Sequence, residues 1–277
     1  QVHKKVGKVS ELSKILPNHI AGNSGIAHTR WATHGGVTDA NAHPHLSQNE
    51  SIAVVHNGII NNSRALRNRL EQRGFELKSE TDSEALVHMI SIGIDSGQEP
   101  LEAVRQTLNR ATGTWGLCVL FKDHDLIVCA RNGSPLILGQ GDGESFISSD
   151  PHALSQHTQN FYFLEDGDMA VVTRDGIDIS RLEGGMSSTS MTVIEDEWGE
   201  ADMAGFPHYM LKEIHEQPEA LRRCIAGRLD MSNGSAKLGG LRLDPVRLRT
   251  IPHVRLIGCG TALNACKIGQ LAIEILA

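Results

Sequence analysis

Between Thr114 and Thr173 the chain repeats one device, a short apolar or β-branched run followed by Asp, Gly or Asn. The runs Thr114–Phe121, Leu126–Arg131, Pro135–Leu138, Ser145–Ser148, Phe161–Phe163 and Met169–Thr173 are brief and bounded by turn residues, so they predict strands. Strands joined by such short turns pair antiparallel. Helical periodicity lies elsewhere. It covers Asn62–Gly74, with Ala65, Leu66, Leu70 and Phe75 on one side, then Thr81 to Gly97, then Leu101–Ala111. Thr81-Asp82-Ser83-Glu84 fits a capping box, in which threonine and glutamate side chains satisfy free backbone N–H groups. Upstream, Ser51–Ile60 predicts a buried strand with a tight turn at Asn57-Gly58. Helices kept apart in sequence from antiparallel strands imply an α+β sandwich of layers.

From Ser187 to Phe206 the pattern dissolves into Ser, Thr, Asp and Glu, which reads as a linker. His208–Arg223 predicts a polar helix interrupted near Pro218. Val254–Ile257, a glycine turn and an apolar run through Leu276 then predict one strand and one helix, the first βα unit of a parallel sheet. This divides the chain into 1–195, a linker over 196–207, and 208–277.

A net charge of −7 argues against nucleic-acid and anionic-membrane partners, which call for a basic face. No apolar run approaches the roughly 20 residues that a membrane helix needs. Five cysteines without a C-x-x-C pair do not form a disulfide framework. Cys118 and Cys129 sit inside apolar runs and predict buried, reduced thiols, hence a cytoplasmic protein.

Five of the fourteen histidines fall between His28 and His56. A metal site is one reading, since histidine is the commonest metal ligand, but Pro44 between His43 and His45 and the lack of a nearby E-x-x-H or H-x-E pattern weaken it. Histidines bonded to backbone in a polar loop are another. A third reading starts from Arg30, Trp31, Asn57, Gly58 and Asp82. Arginine's planar fork can hold a carboxylate with two parallel bonds, and an aspartate opposite it can hold an ammonium. Asn57-Gly58 can offer an amide NH₂ and a backbone N–H to a developing oxyanion. Together they describe a site for an amino acid.

The runs HTRWATHGG, NAHPH, VVHNGIINN and SETDSE, in that order, resemble the glutaminase domain of class II glutamine amidotransferases. HYMLKEIHEQP followed by IGCGT narrows the resemblance to the glutamine–fructose-6-phosphate aminotransferase family, across essentially the whole chain. The resemblance implies an N-terminal-nucleophile hydrolase-type αββα sandwich, expected to be truncated at its N-terminus, followed by the first βα unit of an α/β sugar-isomerase domain. It implies that Arg30 clamps the glutamine carboxylate, Asp82 holds its ammonium, and Thr33 and His34 line the same pocket. Asn57 and Gly58 become the oxyanion hole, Trp31 the indole that gates an ammonia channel, and His43 part of the neighbouring loop. Cys259, Gly260 and Thr261 match the start of a sugar-phosphate site. The implied partners are L-glutamine, fructose 6-phosphate and a second copy of the chain, paired through the isomerase domain; neither metal nor organic cofactor is implied.

Departures from the family pattern shape the expectation. The family's nucleophile is an N-terminal cysteine, whereas residue 1 is Gln1 and no cysteine lies in the first hundred residues. Ala262 stands where a serine is usual, and Leu263 where an aromatic is common. The chain is therefore expected to hold a glutamine-binding part that is inactive alone. A catalytically dead glutamine-binding module and another class II amidotransferase are the alternatives.

Overall fold

A computed structural model describes residues 1–20, 22–31, 35–194, 203–230, 232, 234–236, 247 and 250–276. The chain divides into two compact units, Gln1–Ala201 and Asp202–Ala277.

In the first unit a short helix α1 (Val9–Ser13) precedes strands β1 (His45–Leu46) and β2 (Ile52–Ile60). Helices α2 (Ser63–Gln72), α3 (Ser83–Asp95) and α4 (Pro100–Leu108) follow. Then come β3 (Gly113–Phe121), β4 (Ile127–Asn132), β5 (Ile137–Gln140), β6 (Ser145–Ser148), β7 (Asn160–Phe163), β8 (Asp168–Val172), β9 (Ile177–Arg181) and β10 (Thr192–Val193). All the predicted strands of the β-rich stretch are present, with ends shifted by no more than two residues. One sheet has the order β1-β2-β3-β4-β8-β9 and the other β10-β7-β5-β6, and every pairing within them is antiparallel.

Strand alternation explains the layers. Leu117, Val119 and Phe121 of β3 point toward α2, α3 and α4, where they meet Leu66, Leu70, Leu86, Ile90 and Val104 in one core. Cys118 and Cys129, directly opposite each other on β3 and β4, point the other way into a second core with Leu138, Leu164 and Val172. Both thiols are buried and free, as expected, with the two sulfurs 3.9 Å apart. Burial pushes the Cys129 thiol well above its ordinary pKa. A third cluster, Ile137, Leu154 and Phe161, covers the outer face of the four-stranded sheet. Leu154 of that cluster directly follows a 3₁₀ turn, Pro151–Ala153.

Several local expectations are corrected. Asn57-Gly58 is not a turn: it lies inside β2, with Asn57 opposite Gly116 and Gly58 opposite Trp115. The reason for glycine is close approach. At φ +139°, a Cβ on Gly58 would sit 2.2 Å from the Thr114 carbonyl oxygen. Helix α3 starts at Ser83 rather than Thr81, and only half of the capping box forms. Glu84 N–H donates to Thr81 Oγ1 at 3.4 Å, but the Glu84 carboxylate turns to Lys78 N (2.7 Å), Ser79 N (2.9 Å) and Ser79 Oγ (2.8 Å). That buried carboxylate thus fastens the loop before the helix instead of capping it. Burial opposes its charge, yet these donors and His88 hold it down at about 2. Ala65, predicted on the inner side of α2, is exposed, while Leu66 and Leu70 are buried.

In the second unit α5 (Tyr209–Ile225) runs through Pro218 without a break. His208 caps it, its Nδ1 accepting from Leu211 N at 3.2 Å. Proline removes one N–H from the ladder, and the carbonyl left over belongs to the exposed Ile214, where water can satisfy it. A two-stranded ribbon, β11 (Leu229–Asp230) with β12 (Ser235–Ala236), follows. The last helix, α6, is Gly260–Leu276. Val254–Ile257 forms no strand: a strand needs a neighbour for its N–H and C=O groups, and among the described residues none pairs with it.

Candidate functional site

Two clefts stand out among the described residues of the first unit. The larger, about 570 Å³, lies among α2, α3 and α4, is lined by Arg69, Arg73, Gln98, Gln106 and Arg110 among others, and contains none of the predicted site residues. The smaller, about 230 Å³, is lined by His28, Thr29, Arg30, Trp31, His43, His56, Asn57, Gly58, Thr81, Asp82 and Ser83. Arg30, Trp31, Asn57, Gly58 and Asp82 therefore meet at one place, although they lie far apart in sequence. Thr33 and His34 lie outside the described residues. Cys259, Gly260 and Thr261 lie in the other unit, at the N-terminal end of α6, with Gly260 at φ +56°.

Strand β2 and the N-terminus of α3 build the cleft between them. Asp82, only 5% exposed, accepts the Ile60 N–H at Oδ2 (2.7 Å), and the Ser83 hydroxyl oxygen lies 3.3 Å from its Oδ1. A bond to a neighbouring strand therefore fixes the carboxylate, which is not spent on capping α3. On the other wall, Arg30 donates from Nη1 to Gly36 O (2.9 Å) and from Nη2 to Gly35 O (3.3 Å). The Trp31 side chain stands at the rim and is 89% exposed.

The histidines form a layer behind these groups. His28 and Asn57 meet at 2.8 Å through Nε2 and Oδ1. A carboxamide oxygen only accepts, so His28 Nε2 carries the proton and Asn57 Nδ2 is left as the donor end of the amide. Among the described residues His28 Nδ1 is buried with no hydrogen-bond partner within geometric reach, which suits a bare ring nitrogen. The His28 and His43 rings lie 4.2 Å apart between centroids, and His43 and His45 4.8 Å apart. His45 Nε2 meets Thr81 Oγ1 at 2.9 Å. His56 donates from Nε2 to Thr114 O (3.1 Å), leaving Nδ1 to accept from Ser83 Oγ (2.8 Å). Burial, reinforced by the neighbouring imidazoles, pushes His43 down to about 2; burial with Lys4 nearby pushes His45 down to about 4. Burial also lowers His28 and His56. The layer is uncharged at neutral pH. Among the described residues no group of three His, Cys, Asp or Glu side chains is placed to hold a metal ion.

This layer sets a pH dependence. Its histidines bind protons at an ordinary pKa when unfolded but resist them when folded. Stability is therefore full above about pH 6.5 and falls as pH drops toward the folded pKa values. His43 alone, held at about 2, is expected to cost about 2 kcal/mol by pH 5. Urea titrations at about pH 7.5 and about pH 5 check this: the midpoint should fall at the lower pH, and His43→Asn should reduce the difference.

Sequence reasoning missed Thr81 and Ser83 as lining residues, because both sat inside a plausible capping motif. It also passed over Asn41 and Glu80. Asn41 is a buried polar residue beside the NAHPH run, yet no spacing rule singles it out.

Residues 28–156 match the family model described as a glutamine amidotransferase domain. Along its whole length the chain is 43% identical to the glutamine–fructose-6-phosphate aminotransferase (isomerizing) of Thermus thermophilus and covers 45% of that protein. The enzyme of the same name from Chlorobaculum tepidum is 42% identical over 98% of the chain, which again covers 45% of the relative. The chain thus spans about half the length of the curated relatives it matches. Among solved structures, the glutamine phosphoribosylpyrophosphate amidotransferase of B. subtilis is similar over 56% of this chain and 34% of its own, at 24% identity and a TM-score of 0.47. Residues 28–156 thus match a glutamine amidotransferase domain, and the chain along its length is similar to glutamine–fructose-6-phosphate aminotransferases.

Proposed function

We propose that the cleft between β2 and α3 binds L-glutamine, as the glutamine-binding part of an amidotransferase that aminates fructose 6-phosphate to give glucosamine 6-phosphate. The observation that carries this is the convergence of Arg30, Asn57-Gly58 and Asp82 on one small cleft. At about 230 Å³ it is smaller than the roughly 300–1,000 Å³ of pockets for drug-sized ligands, which suits a single amino acid. Arg30 takes the carboxylate, Asp82 the ammonium, and Asn57 Nδ2 with the Gly58 N–H faces the carboxamide oxygen. Trp31, at the mouth of the cleft, gates the exit of ammonia. The two packed antiparallel sheets with helices on one outer face support the N-terminal-nucleophile hydrolase type, whose full form is an αββα sandwich.

In such an enzyme a cysteine thiolate attacks the amide carbon, the oxyanion forms against Asn57 and Gly58, and ammonia leaves a thioester. Among the described residues no cysteine lines the cleft, and Cys118 and Cys129 are locked between the sheets. The chain by itself therefore binds glutamine without opening its amide. Ammonia passes through a shielded route in the intact enzyme, because water would protonate it. Residues 208–277 begin a sugar-isomerase unit in which Cys259, Gly260 and Thr261 open the sugar-phosphate site at a helix N-terminus. The intact enzyme pairs as a homodimer through the remainder of its isomerase domain, and two buried reduced thiols suit a cytoplasmic protein.

Calorimetric titration with L-glutamine, alongside a coupled assay for released ammonia, tests the reading. Saturable 1:1 binding without ammonia release is expected. Absence of binding at millimolar glutamine would refute the clamp, and steady ammonia release would refute the claim that the chain lacks its nucleophile.

A further inference from the structure

A small polar network joins the two walls of the cleft. Asn41 is 2% exposed and donates from Nδ2 to both Gly36 O (3.0 Å) and Glu80 Oε2 (3.1 Å), while its Oδ1 accepts from Glu80 N (2.9 Å). Glu80 Oε2 also accepts from Gly36 N (3.1 Å). The same Gly36 carbonyl receives Arg30 Nη1, and Glu80 is two residues before Asp82. One buried amide therefore connects the loop that holds the Arg30 guanidinium to the segment that carries the Asp82 carboxylate. The fit is close. Gly35 has φ +76°, and a Cβ there would lie 2.8 Å from Asn41 Nδ2 and 2.8 Å from Glu80 Cβ. The Gly36 N–H and the Asn41 amide also hold the Glu80 carboxyl below its usual range, so it stays an acceptor at neutral pH.

We propose that Asn41 and Glu80 are positioning residues that hold Arg30 at a fixed separation from Asp82 and so select ligands bearing both an α-carboxylate and an α-ammonium. The proposal rests on the reading of the cleft as an amino-acid site. Neither residue touches the ligand. They act by holding the Gly35-Gly36 carbonyls that orient the guanidinium, in the way that supporting residues pre-organise a clamp.

Two ligands separate positioning from general support. L-Glutamine carries the α-carboxylate, and 4-aminobutanamide keeps the ammonium and carboxamide but lacks it. Affinities for both, with melting temperatures, are measured in the 277-residue chain and in Asn41→Ala, Glu80→Ala, Glu80→Gln and Arg30→Ala. Asn41→Ala and Glu80→Ala are expected to weaken L-glutamine about tenfold and 4-aminobutanamide less than about twofold. Glu80→Gln keeps an acceptor for the Gly36 N–H and should retain most of the affinity. Because Glu80 is exposed, its variants fold even if Asn41→Ala does not. Equal losses for both ligands, or no loss where Arg30→Ala has a large one, would overturn the positioning role. If Arg30→Ala itself leaves L-glutamine binding intact, the clamp reading fails and the proposal fails with it.

Discussion

Gly58→Ala is expected to destabilise the protein by about 3–5 kcal/mol, near the top of the range for single substitutions. Two costs add. The residue sits at φ +139°, a region that L side chains rarely adopt, which accounts for roughly 1–3 kcal/mol. The new methyl would also meet the Thr114 carbonyl oxygen at 2.2 Å, with its carbon at 2.7 Å and His56 Nε2 at 3.0 Å. Both Thr114 contacts are backbone of the paired strand β3, so relief requires the β2–β3 ladder to open at the Gly58–Trp115 pair. Gly74→Ala is the control. Its φ is +83°, but no atom lies within 4 Å of the added carbon, so only the conformational cost of about 1 kcal/mol remains. Denaturant midpoints for the two variants check the difference. Equal midpoints would mean that the strands do not approach so closely at Gly58.

Arg30→Lys is expected to weaken L-glutamine binding about 10²-fold under the proposed reading. A lysine ammonium keeps the charge but cannot present two parallel N–H groups to a carboxylate. It also cannot donate simultaneously in the fixed directions of the Gly35 and Gly36 carbonyls. Loss of one charge-assisted bond corresponds to roughly 1.5–3 kcal/mol, hence the factor. The melting temperature should change little, since Arg30 is only partly buried in an exposed loop. Calorimetry on the variant checks this, and an unchanged affinity would remove Arg30 from the clamp.

Much of the first unit was legible because its strands and helices announce themselves by side-chain periodicity. Ser145–Ser148 matched its predicted limits, β3, β4, β7 and β8 differed by one residue, and β5 by two. Strand β9 (Ile177–Arg181) escaped notice, since as a sheet edge it interleaves Ile with Asp, Ser and Arg and only half buries them. The errors share one cause: a local motif can serve more than one tertiary purpose. Asn-Gly is a strong hairpin signal, yet here glycine answers a close approach to Thr114 O in mid-strand. Thr81-x-x-Glu84 reads as a capping box, yet Glu84 is used by the backbone of Lys78 and Ser79. Val254–Ile257 has strand composition but no neighbouring strand among the described residues, and composition cannot supply one.

The candidate site was legible in another sense. Arg30, Asn57, Gly58 and Asp82 were singled out by the chemistry an amino acid demands, and the fold gathers all four at one cleft. Asn41 and Glu80 were not, because their contribution lies in hydrogen bonds between segments distant in sequence. The histidines gave a mixed signal. Their density suggested a metal, whereas in the structure they stack as a neutral layer whose His28 orients the Asn57 amide.

The most direct test of the central claim is to map L-glutamine onto the chain by backbone amide NMR. Binding in the cleft between β2 and α3 predicts that the largest shifts fall on Arg30, Asn57, Gly58 and Asp82 and their neighbours, and that these are lost in Arg30→Ala. Shifts centred instead on Arg69, Gln98 and Arg110, in the larger cleft among α2, α3 and α4, would contradict the account.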